Sequence, residues 1–178
     1  ANFNEPYTFE IIFEVLTELK KDIEWQMIYI GSAEDQKYDQ ILGTIEIGGD
    51  TSKIGTMKFE FSGDAPDIDK IPENDLLGVT AILLCCSYNG QEFFRCGYYI
   101  NVLYDSEEMN YNPPEKVDIN HLKRSLFADK PRITKYEINW DNENVQKAKN
   151  DNVGNFMFNE GKINKDKFQS LQEEKNNN

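Results

Sequence analysis

The side chains able to do chemistry are few and scattered. His121 is the only histidine of the chain. Without a neighbouring nucleophile and an orienting acid it makes no hydrolytic triad, so it reads as a surface residue. The three cysteines, Cys85, Cys86 and Cys96, show no C-x-x-C spacing for zinc or dithiol work. Adjacent strand residues point to opposite faces, so Cys85 and Cys86 cannot act as a pair. All three read as buried free thiols in a reducing compartment. Residues 63–75 (GDAPDIDKIPEND) are rich in acids, but the calcium-loop order breaks after Asp67 and Asp69. Pro72 also stands where such a loop would turn. Gly48-Gly49-Asp50-Thr51-Ser52-Lys53 lacks the order of a phosphate-binding loop and leads into a strand, so a flexible hairpin loop is expected. Base, nucleophile and orienter are nowhere arranged together. The chain reads as a binding protein rather than an enzyme, with no metal or other cofactor.

Charge and length narrow what it binds. The 178 residues allow one ordinary domain and a tail. The formal net charge is −13, and residues 1–142 carry all of it with 26 acids against 13 Lys or Arg. A domain this acidic repels nucleic-acid phosphates and attracts basic partners. No apolar run approaches the roughly 18 residues that would span a bilayer. The start shows no basic-then-apolar segment, although it is Ala1 and not a methionine.

The elements that must present a binding face are strands. Phe9, Ile11, Phe13 and Val15 alternate with a mostly polar set, predicting a half-buried strand over Tyr7 to Val15. Trp25, Met27 and Tyr29 face one way on the next strand, and Gln26, Ile28 and Ile30 the other. Ser32 to Tyr38 reads as a turn or a single helical turn carrying Glu34 and Asp35, with Asp39 just after. Ile41 to Ile47 and Met57 to Phe61 are expected to pair. After Asn112-Pro113-Pro114, Asp118 is expected to cap a short helix bearing Ile119, Leu122 and Leu126. Arg132 to Trp140 is expected to be the last strand. Residues 143–178 hold nine asparagines and six lysines, a composition that predicts a disordered tail. Many short strands and one short helix predict an all-β chain, an antiparallel β-sandwich.

Val79 to Ile100 is the stretch around which these strands gather. Its first strand is apolar on both faces, and a sheet face left apolar calls for a cover. Two registers are open at Tyr88-Asn89-Gly90-Gln91. A two-residue Asn-Gly turn sets Arg95 across from Leu84. A three-residue loop with a left-handed Gly90 shifts the pairing by one and flips the faces. Val79, Ala81, Leu83 and Cys85 then share a face with Phe93, Arg95, Gly97 and Tyr99. The other face becomes a continuous apolar core, and the first takes on the make-up of a partner-binding patch.

Several motifs are familiar together. They are EW-x-x-IY-x-GSAE at Glu24 to Glu34, YDQ-x-L at Tyr38 to Leu42, DAP at Asp64 to Pro66 and GVT at Gly78 to Thr80. Y-x-GQEF-x-R-x-GYY at Tyr88 to Tyr99, NPP at Asn112 to Pro114 and PR-x-T-x-x-x-INW at Pro131 to Trp140 follow in order. Over about residues 2–141 the chain resembles the anti-silencing function family of histone chaperones. The resemblance implies an immunoglobulin-like core over residues 1–142 that binds one H3–H4 heterodimer as a monomer in the nucleus. It would block histone tetramer formation and pass histones to assembly factors during nucleosome assembly. By match of motif, H3 is expected on Ile30, Glu34, Asp39, Val79, Ala81, Leu83, Arg95 and Tyr99. H4 is expected as an added strand along Pro131, Arg132, Ile133 and Thr134. A second family site takes B-domain segments of the HIRA repressor or of chromatin assembly factor through two adjacent acids. Here that pair reads Lys21-Asp22, so only Asp22 carries over.

Other departures bear on the same expectations. Ala81 stands where a valine is usual, which removes about two methyl groups' worth of contact, roughly 1–2 kcal/mol of hydrophobic gain. The family's first strand would precede Asn2, and the tail here is neutral. The competing reading is an immunoglobulin-like adaptor that binds some other basic or helical protein and has no chaperone role.

Overall fold

Period-two alternation becomes a set of antiparallel strands in the computed structural model, which describes residues 1–48 and 54–140. In chain order they are β1 (Tyr7–Val15), β2 (Ile23–Tyr29), β3 (Gln40–Ile47), β4 (Gly55–Gly63), β5 (Gly78–Tyr88), β6 (Gln91–Tyr104), β7 (Leu122–Leu126) and β8 (Arg132–Lys135). One short helix, α1 (Glu107–Tyr111), follows β6. β1 and β4 form a small sheet. The large sheet runs β3-β2-β5-β6-β7, with β8 pairing to the first half of β6. The fold is an all-β, immunoglobulin-like sandwich.

The core lies between the two sheets. Ile11, Phe13, Val15 and Phe61 point inward from the small sheet; Trp25, Met27, Tyr29, Ile82, Leu84, Cys86, Phe94 and Ile100 meet them from the large one. Trp25 is 1% exposed and touches Phe13, Phe59 and Phe94 with ring centroids 6.2, 6.1 and 6.0 Å away. The Phe59 and Phe94 contacts are edge-on and the Phe13 contact tilted, and such aromatic contacts add to the gain from burial alone. All three cysteines are free and buried, with Cys85 and Cys86 on opposite faces of β5 as strand alternation requires.

Where the chain enters the fold, a buried arginine ties it down. Ala1 to Phe3 run beside β7: the Arg124 amide donates to the Ala1 carbonyl at 2.9 Å, and the Phe3 amide to Leu122 at 3.0 Å. Arg124, only 7% exposed, donates through Nη1 to the carbonyls of Phe3 (3.1 Å) and Glu5, and through Nη2 to that of Pro6 (2.7 Å). Its guanidinium lies 3.5 Å from the ring centre of Tyr7.

Several expectations need correction. The helix expected over Asp118 to Leu126 is a 3-10 turn at Ile119–His121, capped by Asp118, followed by β7. Leu122 and Arg124 are buried on one side, and the open edge of β6 offers a ladder that outweighs the weak helical spacing. The helix that does form, α1, is capped by Ser106 and carries Glu107 and Glu108 in its first turn. β3 and β4 do not make a hairpin, because β3 pairs with β2 and β4 with β1. The glycine-rich connection therefore crosses between sheets; its residues 49–53 lie outside the described set. The last strand among the described residues ends at Lys135. Beyond it the chain stays attached through the Tyr136 amide to Phe93 (2.9 Å) and a reciprocal pair between the Gln91 side chain and the Asn139 backbone. The disordered tail expected over residues 143–178 and the domain boundary expected at 142 also lie outside the described residues.

The hairpin shows the expected faces for a different reason. Asn89 (φ 49°) and Gly90 (φ 76°) form a two-residue turn that closes the Tyr88–Gln91 pair. Two consecutive left-handed residues suit Asn-Gly. The shift comes later, at a β-bulge where Ser87 faces Glu92 but Cys86 faces Phe94. Phe93 is the extra residue, and it turns inward instead of sharing the outer face with Arg95. It packs against Trp140, which also stacks on Tyr88 at 5.1 Å.

Candidate functional site

Outward from the core, the large sheet carries an apolar stripe that crosses five strands. Ile41 on β3, Ile28 on β2, Leu83 on β5, Gly97 on β6 and Arg132 on β8 stand in one row of paired residues. Gly97 supplies the flat floor of this row. A Cβ there would meet the Leu83 Cδ2 at 3.1 Å, so the missing side chain lets Leu83 lie across β6. The adjacent row pairs Ala81 with Tyr99, and the Ile30 amide donates to the Ala81 carbonyl at 3.0 Å. Val79 follows, opposite Asn101.

Charges border the stripe. At the end of β2, Asp35 caps the 3-10 turn Gln36–Tyr38 by accepting from the Lys37 amide, and the chain returns through Asp39. Asp39 is half-buried, and its Oδ1 is enclosed without a hydrogen-bond partner. Desolvation raises its pKa above the ordinary aspartate value, while Arg95 pulls it partly back. A carboxylate held this way is a ready acceptor for a cation brought by a partner. Glu34 is exposed on the same turn, its amide donating to Ser32 Oγ at 3.3 Å. On the far side, Arg95 pairs with Glu92 through Nε–Oε1 (3.1 Å) and Nη2–Oε2 (3.0 Å). Cys85 lies beneath the pair, its pKa pushed up to about 12 by burial and by the Glu92 carboxylate. A thiol in that state is a poor nucleophile.

The structure thus brings Ile30, Val79, Ala81, Leu83, Arg95 and Tyr99 to one face, with Asp39 close enough to Arg95 to feel its charge and Glu34 exposed just ahead of the turn that leads to Asp39. Arg132, Ile133 and Thr134 form β8 beside it, with Arg132 Cζ 5.4 Å from the centre of the Tyr99 ring. Pro131 leads into that strand. Asp22 stands apart, exposed before β2 and close to Gly48 at the end of β3. Ile28 and Ile41 belong to the stripe and were not singled out from sequence, although the Gln26-Ile28-Ile30 alternation already carried the signal. Ile41 is 62% exposed, an unusual setting for so apolar a side chain.

The residues first considered for chemistry are otherwise engaged. His121 is exposed and faces Asp105 at 3.0 Å. Asp67 accepts from the Asp69 amide and pairs with Lys70, so the acids of that loop shape its turns. Among the described residues no three of His, Cys, Asp and Glu gather as metal ligands. Nor is any described helix long and apolar enough to cross a membrane.

A sandwich whose outer sheet face is apolar in the middle and acidic at one border is a protein-binding module suited to basic partners. The chain belongs to the ASF1-like histone chaperone family, whose profile matches residues 1–141. It is 47% identical over 154 residues to a histone chaperone ASF1 of Mycosarcoma maydis, covering 86% of this chain and 87% of that protein. It is 49% identical over 144 residues to the histone chaperone ASF1 of Saccharomyces cerevisiae, covering 81% of this chain and 51% of the other. For that of Kluyveromyces lactis the identity is 51% over 143 residues, covering 80% and 51%. Against these last two, the chain spans about half the length of the relative it matches. The family is not enzymatic, and its members work in chromatin assembly as histone chaperones.

Proposed function

We propose that this chain binds one H3–H4 heterodimer on the outer face of its large sheet, keeps two such dimers from joining, and passes histones to assembly factors in the nucleus. The observation that carries the reading is that the motif-matched residues Ile30, Val79, Ala81, Leu83, Arg95 and Tyr99 share one apolar face, with Asp39 at its border. Val79, Ala81 and Leu83 would desolvate against apolar histone side chains, and Asp39 and Glu34 would meet basic ones. Arg95 and Tyr99 are of the residue types enriched at binding hot spots. The H4 C-terminal segment would add to the outer edge of β8, along Pro131 to Thr134, through main-chain hydrogen bonds. Asp22 would take part in a separate site for B-domain segments.

Cross-linking of H3–H4 with and without the chain tests this. Tetramer cross-links should disappear at stoichiometric chain, and their persistence at excess would overturn the proposal.

Asp39 gives the interaction a pH dependence with a definite sign. In the free protein its pKa is raised, so the ionised carboxylate opposes folding once pH passes through that value. A bound cation favours the ionised form. Affinity for H3–H4 should therefore fall as pH drops through the raised Asp39 pKa and be complete above it. Asp39→Asn should flatten this dependence and weaken binding at neutral pH while slightly raising the melting temperature. Calorimetry across a pH series reads the first two effects and thermal denaturation the third. An Asp39→Asn variant with an unchanged pH profile would remove Asp39 from the interface.

A further inference from the structure

The Glu92–Arg95 pair exists only because the strand that carries it is irregular. Residues three apart on a regular strand point to opposite faces. The bulge at Phe93 absorbs one residue and sets Glu92, opposite Ser87, on the same outer face as Arg95, opposite Cys85. The Glu92 carboxylate then takes the Nε edge of the guanidinium with both oxygens, at 3.1 and 3.0 Å. Such two-point contacts fix the plane as well as the position of an arginine. The Arg95 side chain remains 37% exposed beside the apolar stripe, with the buried Cys85 thiol beneath it.

Stability does not account for the arrangement. The side chains are 37% and 27% exposed, a setting in which an ion pair adds little to folding. A free arginine, by contrast, gives up more rotamer freedom on binding than almost any other side chain. Its charge, without Glu92, would also oppose more strongly the basic partner that the acidic border attracts.

We propose that Glu92 is a positioning residue of the histone-binding face, which holds Arg95 in its binding orientation and neutralises its charge so that the remaining N–H groups meet an oxygen acceptor on the partner. This rests on the reading of that face as the H3–H4 site. Arg95 touches the partner, and Glu92 acts through Arg95.

The test compares the full chain with Glu92→Gln, Arg95→Ala and the double variant for binding to H3–H4. Glu92→Gln should bind about tenfold more weakly, with the loss in the dissociation rate and the melting temperature unchanged. In the Arg95→Ala background the same substitution should cause no further loss. In the free protein, the Arg95 Nε–H should exchange slowly with water, and Glu92→Gln should speed that exchange. Wild-type affinity in Glu92→Gln, or an equal loss with and without Arg95, would overturn the proposal while leaving the chaperone reading intact. A wild-type chain that does not bind H3–H4 would instead overturn the chaperone reading, and the partner-facing role of Glu92 with it.

Discussion

Ala81→Arg should abolish H3–H4 binding while leaving the fold intact. Ala81 points outward from β5, opposite Tyr99 and between Val79 and Leu83, so a longer side chain meets solvent and not the core. The change in folding stability should stay within about 0.5 kcal/mol. In a complex the new guanidinium would stand in the desolvated centre of the face, opposite Tyr99. Burying an unpaired charge costs several kcal/mol, and here the incoming partner is itself basic. A loss of about 3 kcal/mol is more than a hundredfold in affinity. Calorimetry with H3–H4 and a thermal melt together decide it, and undiminished affinity would place the histone site elsewhere on the molecule.

Arg124→Ala is expected to have the largest effect on stability. The substitution removes one guanidinium that serves the carbonyls of Phe3, Glu5 and Pro6 and packs on the face of Tyr7. Each carbonyl left without a donor costs about 1–3 kcal/mol unless water reaches it, and the cation–π contact adds up to about 2. A net loss of about 3 kcal/mol, roughly 10 °C in melting temperature for a domain of this size, is the expected outcome. Arg124→Lys should fall between, since an ammonium keeps the charge but cannot span three carbonyls in one plane. Denaturant melts check both variants. A loss under about 0.5 kcal/mol for Arg124→Ala would mean that solvent replaces the guanidinium at no cost.

Much of this architecture can be read along the chain, because alternation is a local signal. β1 and β2 follow from Phe9-Ile11-Phe13-Val15 and Trp25-Met27-Tyr29, whose inward faces need no knowledge of the partner strand. Val79, Ala81, Leu83, Arg95 and Tyr99, named from the matched motifs, share one outer face of the paired strands β5 and β6. What stayed hidden depends on contacts distant in sequence. β7 shares its apolar spacing with a helix, and only the free edge of β6 decides between them. β3 and β4 are consecutive strands, so pairing them was natural, yet β1 and β2 take them into different sheets. The hairpin reached the expected faces through a bulge at Phe93, which Trp140, 47 positions on, holds from the other side. Glu92 escaped notice for the same reason: on a regular strand it would have faced away from Arg95.

The seat of Trp140 has a further use. The chain's two tryptophans occupy unlike surroundings: Trp25 sits among aromatic rings in the sealed core, and Trp140 lies half-buried against Tyr88 and Phe93. Their fluorescence separates two events. Trp25 emission follows loss of the sandwich, whereas Trp140 emission follows detachment of the last described segment from the hairpin. Single Trp→Phe variants would therefore give two intrinsic reporters of opening, one global and one local, without an added label.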